Sequence, residues 1–484
     1  MDVSKGIGKK TLQTQGPNRP RRYERNVDPM SERCAIILAA GKGTRMKSDQ
    51  PKVLCEVLFQ PMLAWVVNAC RAAGLERLCA VTGYRADLVR ATLDDSVETA
   101  LQPEQKGTGH AVMCARGFLE VNADGDVIVL NGDAPFLDPD TIQNAYDLHK
   151  REGNAVTIIT ARLADPTGYG RIVRGRTGIE KIVEQKDAAP NELVINEVNS
   201  GAYWFNVRTL LDVLFSLSDA NAQGEYYLPD TIALTLEKGR KVGAYISENP
   251  DVILGANSRL ELMRLNTLAN RRIAENLMDA GVEFLSLDGV LLAPDCRVGK
   301  GTRILPGTIL RPGTVIGADC VIGPNSLVSD SVIGDRTVFN SSQCCQSEIG
   351  SGVSIGPFCH LRPNSRILDG VHIGDFVEVK NSVIGEETHI SHLTYVGDSD
   401  VGRKVNFGCG VATANYNGVS KARCTIGDHA FIGCNTNLVA PVTVGPEGYT
   451  AAGSTITDDV PADAMGIARA RQVNKPGYNR KLRG

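Results

Sequence analysis

A doubly wound, Rossmann-like α/β domain followed by a left-handed parallel β-helix of hexapeptide repeats is the fold class this sequence predicts, on three observations. Branched apolar residues recur every sixth position in the second half: Val298, Ile304, Leu310, Ile316, Ile322 and Val328, then Ile349, Ile355, Leu361, Ile367 and Ile373, then Ile426, Ile432, Leu438 and Val444. Glycine often follows the apolar residue, as in Ile316-Gly317, Ile322-Gly323 and Ile432-Gly433, and supplies the permissive backbone a tight corner needs. In the first half, short apolar runs alternate with helical stretches, the pattern of a mostly parallel sheet covered by helices.

A six-residue period belongs to neither an amphipathic helix nor an alternating strand. Each unit therefore reads as one short strand and one turn, and three units close a triangular coil with the apolar residues inside. One coil cannot bury itself, so stacked neighbours supply the core. A structureless glycine-rich tract would have no reason to keep an apolar residue at a strict sixth position.

At 484 residues the chain exceeds one ordinary core, so at least two domains are expected. The formal net charge of −3 gives no reason to expect a nucleic-acid or membrane partner. The 13 cysteines contain no CxxC, and Cys344-Cys345 is the only adjacent pair, so neither a zinc site nor a redox pair is signalled. Reduced thiols in a cytoplasmic protein are the expectation. No run of about eighteen apolar residues and no secretory leader pattern is present, so no membrane span is expected.

Residues 1–33 are polar and basic, with Lys9-Lys10 and Arg21-Arg22, and are expected to be a disordered arm. The arm reads either as a contact for an anionic partner or as an upstream start, with Met30 nearer the true beginning. Order is expected from Cys34-Ala35-Ile36-Ile37-Leu38, a buried parallel strand that runs into the loop Ala39 to Met46. Strands at Leu78 to Thr82, Val127 to Leu130 and Ala155 to Thr160 alternate with helices at Pro61 to Ala73 and Thr141 to Glu152. Ligands of such sheets collect at the carboxyl ends of the strands. The loop Gly41 to Arg45, the stretch Asn131 to Asp133 and the turn Gly107-Thr108-Gly109 all fall there and are expected to line one cleft.

Leu262, Leu265, Ala269, Ile273 and Leu277 keep near-helical spacing from Ser258 to Ala280, and Gly281 follows as a C-cap, so a helix is expected to join the domains. The limits are then 34–257 for the first domain, 258–284 for the joining segment and 285–484 for the β-helix and its tail. The repeat is expected to run to about Thr457, interrupted from Val411 to Thr425 by a loop of the kind that solenoids place on a binding face. Arg469 to Gly484 is basic and reads as irregular.

A glycine-rich loop after a buried strand exposes backbone N–H groups and can cradle phosphates. Here it also carries Lys42 and Arg45, and Lys52 follows. GKGTR lacks P-loop spacing, and Met46 stands where the last glycine of the dinucleotide fingerprint would fall, so on its own the loop could be a plain turn. With Pro51-Lys52-Val53-Leu54, however, Leu38 to Met46 closely resembles the nucleotide-binding signature of sugar-1-phosphate nucleotidylyltransferases. Gln102 in LQPEQKGTGHA, Asn131-Gly132-Asp133-Ala134-Pro135, Thr167 to Arg171, Ile182-Val183-Glu184 and Glu197 to Gly201 follow in that family's order.

The resemblance implies transfer of a uridylyl group from UTP to a sugar phosphate, with pyrophosphate leaving. One phosphate attacking another must overcome like-charge repulsion, so a metal and fixed cations matter more than a base. By resemblance, Asp133 and Asn257 hold Mg²⁺, an ion that favours oxygen ligands, and Arg45 and Lys52 neutralise the triphosphate. Leu38, Ala39, Gly41, Asn131 and Gly132 belong to the UTP site, Gln102, Gly107 and Thr108 read the uracil, and Gly170, Glu184, Asn199 and Asn257 hold the sugar. Read without that context, Asn257 could cap the helix that Ser258 opens, and Asp133 could be a turn residue before Pro135.

Polar residues also interrupt the hexapeptide pattern: Leu361-Arg362-Pro363, Val377 to Lys380, Ser391 to Asp398, Val405-Asn406 and Ala414 to Gly418. In order, they resemble the acetyltransferase half of the bifunctional N-acetylglucosamine-1-phosphate uridyltransferase/glucosamine-1-phosphate acetyltransferases. The whole resemblance covers about Ala35 to Tyr478. It implies acetyl transfer from acetyl-coenzyme A to glucosamine-1-phosphate before uridylyl transfer, with His392 as general base, a group suited to take a proton near neutrality; Glu378 is read as a group that orients or polarises it. Arg362 and Lys380 match positions that bind the sugar phosphate, and Tyr395 and Asn406 match positions that contact the sugar. Cys409, Asn415, Tyr416, Cys434, Ala452 and Arg469 align with the acetyl-coenzyme A site. Asn417 departs from the aspartate common at its position, and Cys409 and Cys434 replace Ala or Ser.

Relatives of this kind form homotrimers with shared sites, and a cyclic trimer suits a triangular prism. The only partners implied are therefore further copies of the chain and small-molecule substrates. Two other readings remain open at this point: a single-activity nucleotidylyltransferase whose β-helix is inert, and a non-catalytic scaffold or sensor that keeps nucleotide binding.

Overall fold

The computed structural model describes residues 32–176, 178–221 and 223–483. The basic arm therefore lies outside the described residues up to residue 31, while Arg33 already belongs to the first strand.

Nine strands build the first sheet: β1 (Arg33–Ala39), β2 (Arg77–Thr82), β3 (Val97–Leu101), β4 (Asp126–Asn131), β5 (Val156–Arg162), β6 (Arg171–Arg174), β7 (Ile179–Val183), β8 (Glu197–Asn206) and β9 (Val242–Ile246). Their order is β9-β5-β8-β4-β1-β2-β3, with β6 paired to β8 and β7. The run Cys34 to Leu38 is apolar throughout because both faces of β1 are covered. Ala35 and Ile37 pack with Ile128, Leu130 and Trp204 on one side, and Cys34 and Ile36 pack with Val127, Tyr203 and Phe205 on the other.

The sheet is mixed. Whereas β1, β2, β3 and β4 are mutually parallel, β8 runs antiparallel between β4 and β5. This reversal matters for the site, because the beginning of β8 then lies where the parallel strands end. Asn199 and Gly201 thereby reach the same edge as Asn131 and Asp133.

Residues from Glu283 onward wind into the expected left-handed parallel β-helix, whose three faces hold 11, 10 and 9 strands. Most strands are two residues long, with the second residue buried, as in Arg303–Ile304 and Val321–Ile322. Partners in the next coil are usually 16 to 18 residues away, as in Arg303↔Val321 and Val338↔Ser354. Across one coil the step lengthens on all three faces: Ser399 pairs with Cys424, Asn406 with Phe431 and Ala412 with Asn437, each a spacing of 25. The additional residues form a loop between Ala414 and Cys424, closed by an antiparallel bridge from Tyr416 to Lys421. The interruption read from the sequence is this loop.

The helix α1 (Arg259–Asp279) joins the two parts. Ser258 is its N-cap and accepts from the Glu261 N–H at 3.2 Å, and Gly281 adopts φ +94 just beyond its end. The helix also closes the open end of the solenoid, where a bare sheet edge would expose unpaired backbone groups. Buried Asn270 supplies the missing partners: its Nδ2 donates to the Val290 carbonyl at 2.8 Å, and its Oδ1 accepts from the Leu292 N–H at 3.0 Å.

Two boundaries differ from the sequence reading. The β-helix continues past Thr457, since Val460 bridges to Val444 and Met465–Gly466 pairs with Tyr449–Thr450. Within the tail read as irregular, Tyr478–Arg483 is helical: Asn-Arg-Lys-Leu-Arg is a run of mostly strong helix formers, and its basic residues sit in the last turn, where they favour the helix dipole.

Candidate active sites

The first cleft opens at the carboxyl ends of β1 and β4, as two adjoining cavities of about 350 and 630 Å³ that share Asn131, Gly168, Glu184, Asn199 and Gly201. Leu38 and Asn131 stand opposite each other at the strand ends, and the Gly132 N–H donates to the Leu38 carbonyl at 3.0 Å. Leu38 and Thr108 line the smaller cavity, and Arg45, Lys52, Asp133, Gly170 and Asn257 line the larger. Ala39 ends β1, and Gly41 lies exposed in the loop that follows. The expectation that these segments share one cleft is met.

At the centre of the larger cavity, the Lys52 Nζ donates to Asn257 Oδ1 at 2.6 Å and forms an ion pair with the Asp133 carboxylate. One cation is thus held between two oxygens from distant parts of the chain. This arrangement decides the question left open for Asn257: Ser258 caps the helix, so the Asn257 side chain is free to face the cleft. Gly43 is required beside it, because its φ is +65 and a Cβ there would stand 2.6 Å from Lys52 Cβ.

Among the described residues, no cluster of three or more His, Cys, Asp or Glu could enclose a metal. The convergence of Asp133 and Asn257 on one cation instead fits an ion that takes few protein oxygens and completes its shell with water and phosphate, as Mg²⁺ does.

Gln102 is almost fully buried at the end of β3, and its Nε2 donates to the Gly107 carbonyl and lies 3.1 Å from His110 Nδ1. Its side chain braces the turn ahead of Thr108. Gly107, at φ +98, permits the close passage of the Tyr226 carbonyl, which would lie 2.6 Å from a Cβ. On the sugar side, the Asn199 N–H donates to the Gly170 carbonyl at 2.9 Å, and the Asn199 Nδ2 donates to the Tyr203 hydroxyl at 2.6 Å. Burial, with the charges of Asp187 and Asp230 nearby, pushes the Glu184 carboxyl above its ordinary value. Arg171 was given no role, yet it is fully buried and clamps this wall, donating to the Tyr169 carbonyl and to Gln185 Oε1.

The second constellation lies on the middle coils of the β-helix. Arg362 and Glu378 are paired at 2.8 Å on adjacent coils, and Lys380 and Tyr395 continue the same face. Lys421, from the inserted loop, and Arg362 press positive charge on Lys380 and hold its ammonium below the usual lysine range. Three cations concentrated on one face suit a phosphate dianion. Lys421 was missed because it sits in the segment where the repeat gives no register.

His392 ends the strand His389–His392, and its Nδ1 lies 2.8 Å from Asp375 Oδ1. The expectation that Glu378 orients this histidine is therefore corrected. Glu378 is held by Arg362 on the neighbouring face, and the coil register places Asp375 opposite His392. That register needs Gly374, since a Cβ there would fall on the Ser391 carbonyl oxygen. Gly374→Ala is expected to destabilise the β-helix by about 1–3 kcal/mol through overpacking, measured as a lowered thermal midpoint.

Asn406 pairs with His389 one coil further on. Asn415 donates to Asp398 and lies within 3.4 Å of the Tyr395 hydroxyl, while Tyr416 stands exposed at the start of the inserted loop. Cys409 is half-buried and Cys434 exposed, and the Asn435 N–H donates to the Cys409 carbonyl at 2.7 Å, which stacks the two cysteine-bearing corners on successive coils. Ala452 and Arg469 are exposed further along the same prism. The structure brings Arg362, Lys380 and Tyr395 together on one face, sets Asn406 on the face of His392, and spreads Cys409, Asn415, Tyr416, Cys434, Ala452 and Arg469 over the later coils.

Comparison with known proteins agrees with this division. Residues 34–252 match the nucleotidyl transferase family, and residues 295–330 and 346–381 match the bacterial transferase hexapeptide family of six repeats. The chain is 49% identical over 450 residues to the bifunctional protein GlmU of Halalkalibacterium halodurans, covering 93% of this chain and 99% of that one. It is 47% identical to proteins of the same description from Clostridium acetobutylicum and Clostridium perfringens, in each case covering 92% of this chain and 98% of the relative.

Proposed function

The chain belongs to the family of bifunctional GlmU proteins, and on that premise we propose that it synthesises UDP-N-acetylglucosamine at two separate sites. Residues 285–484 N-acetylate glucosamine-1-phosphate with acetyl-coenzyme A, and residues 34–257 then transfer a uridylyl group from UTP to the product, releasing pyrophosphate. The observation that carries this reading is the pair of unlike constellations: Lys52 between Asp133 and Asn257 in one cleft, and His392 beside a three-cation face on the other part.

In the first cleft, Asp133 and Asn257 would hold Mg²⁺, which screens the charge of the triphosphate. Lys52 and Arg45 neutralise charge that moves onto the departing pyrophosphate as the sugar phosphate oxygen attacks the α-phosphorus. Gly170, Glu184 and Asn199 position the sugar, and Leu38, Gln102, Gly107 and Thr108 shape the wall against which the uracil lies. In the second site, Arg362, Lys380 and Lys421 anchor the phosphate of glucosamine-1-phosphate, with Tyr395 and Asn406 at the sugar. His392 takes the ammonium proton, and the freed amine attacks the thioester. Cys409, Asn415, Tyr416, Cys434, Ala452 and Arg469 line the path for coenzyme A.

Among the described residues, no helix is long and apolar enough to cross a membrane. We place the protein in the cytoplasm, where its substrates are made, and assign it a homotrimer. Exposed Phe358, Phe376 and Leu393 stand near the second site and support such an assembly. A monomeric mass by light scattering at assay concentration would refute the trimer. The first reaction is tested with UTP, N-acetylglucosamine-1-phosphate and Mg²⁺: pyrophosphate appears, and EDTA stops it. Equal release with EDTA would overturn the metal assignment.

A further inference from the structure

Most strands of the β-helix are two residues long, but His372–Asp375 and His389–His392 each have four. The extension carries the ladder past Ile373↔Ile390 to Asp375↔His392, the last paired position before the corner. At that corner Leu393 takes φ +44, a conformation unfavourable for a branched side chain, and its N–H donates to the Asp375 carbonyl at 3.1 Å. Backbone and side chain of Asp375 thus both hold the His392 segment.

Resting on the reading of His392 as the proton acceptor, we propose that Asp375 is its positioning residue, fixing the imidazole so that Nε2 presents the lone pair to the substrate amine. The carboxylate accepts a hydrogen bond from His392 Nδ1, and the same contact keeps the Asp375 carboxyl below the usual range and ionised. An ionised carboxylate only accepts, so Nδ1 carries the proton and Nε2 is left basic. Side-chain exposures of 59% and 41% mean that the pair contributes little to folding. Its value lies in orientation.

The step balances within the reactants. Nε2 takes one proton from the ammonium, nitrogen forms a bond to the thioester carbonyl carbon, and the carbon–sulfur bond breaks. The departing thiolate receives that proton from the imidazolium, and the acylated nitrogen releases its second proton to solvent, giving amide, thiol and one free proton. Asp375 remains ionised and stabilises the transient cation.

The full-length variants Asp375→Asn and Asp375→Glu test this against His392→Ala. Asp375→Asn should lower kcat for acetyl transfer about 10- to 100-fold, less than the loss of the equivalent group in a buried triad. KM for glucosamine-1-phosphate should stay within about twofold, because the phosphate-binding cations are untouched. Histidine ¹⁵N spectra should show the His392 proton moving from Nδ1 to Nε2, Asp375→Glu should recover part of kcat, and uridylyl transfer should be unchanged. Wild-type kcat in Asp375→Asn while His392→Ala is inactive would overturn the proposal, as would a fall in kcat with the proton still on Nδ1. If His392→Ala itself kept wild-type turnover, the base assignment would fail, and the role of Asp375 with it.

Discussion

His392→Ala is expected to lower acetyl transfer from acetyl-coenzyme A by about 10²- to 10⁴-fold, the usual contribution of a positioned general base. The amine of glucosamine-1-phosphate is protonated near neutrality and cannot attack a thioester until that proton leaves. Four of the other histidines are engaged elsewhere. His149 is buried against Asp126 and Thr157, His110 lies against Gln102, and His372 and His389 face each other at 5.8 Å between ring centroids at the start of the strand pair whose far end carries Asp375 and His392. Burial and the neighbouring imidazoles also push His372 below its ordinary value, which makes it a poorer base. Uridylyl transfer should be unchanged, since His392 lies on the β-helix and the nucleotide cleft is built from the first sheet and the start of α1. Free-thiol release and pyrophosphate release, read on the same sample, check both halves of the expectation.

Asp133→Ala should reduce uridylyl transfer by three orders of magnitude or more, as expected when the metal-holding carboxylate of a phosphoryl-transfer site is lost. Two effects add in the same direction. The oxygen that shares a cation with Asn257 disappears, and Lys52 loses the carboxylate that holds its ammonium at the cleft centre. Raising Mg²⁺ should recover little, because one amide oxygen is a weak ligand alone. Acetyl transfer should be unaffected. The check is pyrophosphate release from UTP and N-acetylglucosamine-1-phosphate across a Mg²⁺ titration, with thiol release as the control for folding.

The sequence made the β-helix legible because its period is imposed by stacking: each inward position must be apolar, so Ile304, Ile322 and Phe339 mark successive coils without reference to any partner. The loop after β1 and the Asn131 to Asp133 turn were legible for a similar reason, since both follow buried apolar runs that place them at the strand ends. The antiparallel course of β8 was not legible. Most of its ten residues are buried among neighbours on both faces, so their hydrophobicity carries no direction, and only pairing with β4 and β5 sets it.

Asp375 was obscured by coil length. Coils vary between 16 and 18 residues, so the partner of His392 in the preceding coil is uncertain by a residue or two, and Glu378 lies close enough in sequence to be chosen instead. Lys421 lies in the insertion, where the spacing argument has no register. Lys52 was legible as a phosphate ligand but not as the group joining Asp133 to Asn257, because 205 residues separate Lys52 from Asn257 and only the packing of α1 against the first domain brings them together.

The central claim is that one polypeptide carries two complete and separate transferase sites. Supplying the purified chain with glucosamine-1-phosphate, acetyl-coenzyme A, UTP and Mg²⁺ and following thiol and pyrophosphate together tests it most directly. Thiol should appear first, followed by pyrophosphate and UDP-N-acetylglucosamine. Pyrophosphate released only when N-acetylglucosamine-1-phosphate is supplied, with the thioester left intact, would contradict it.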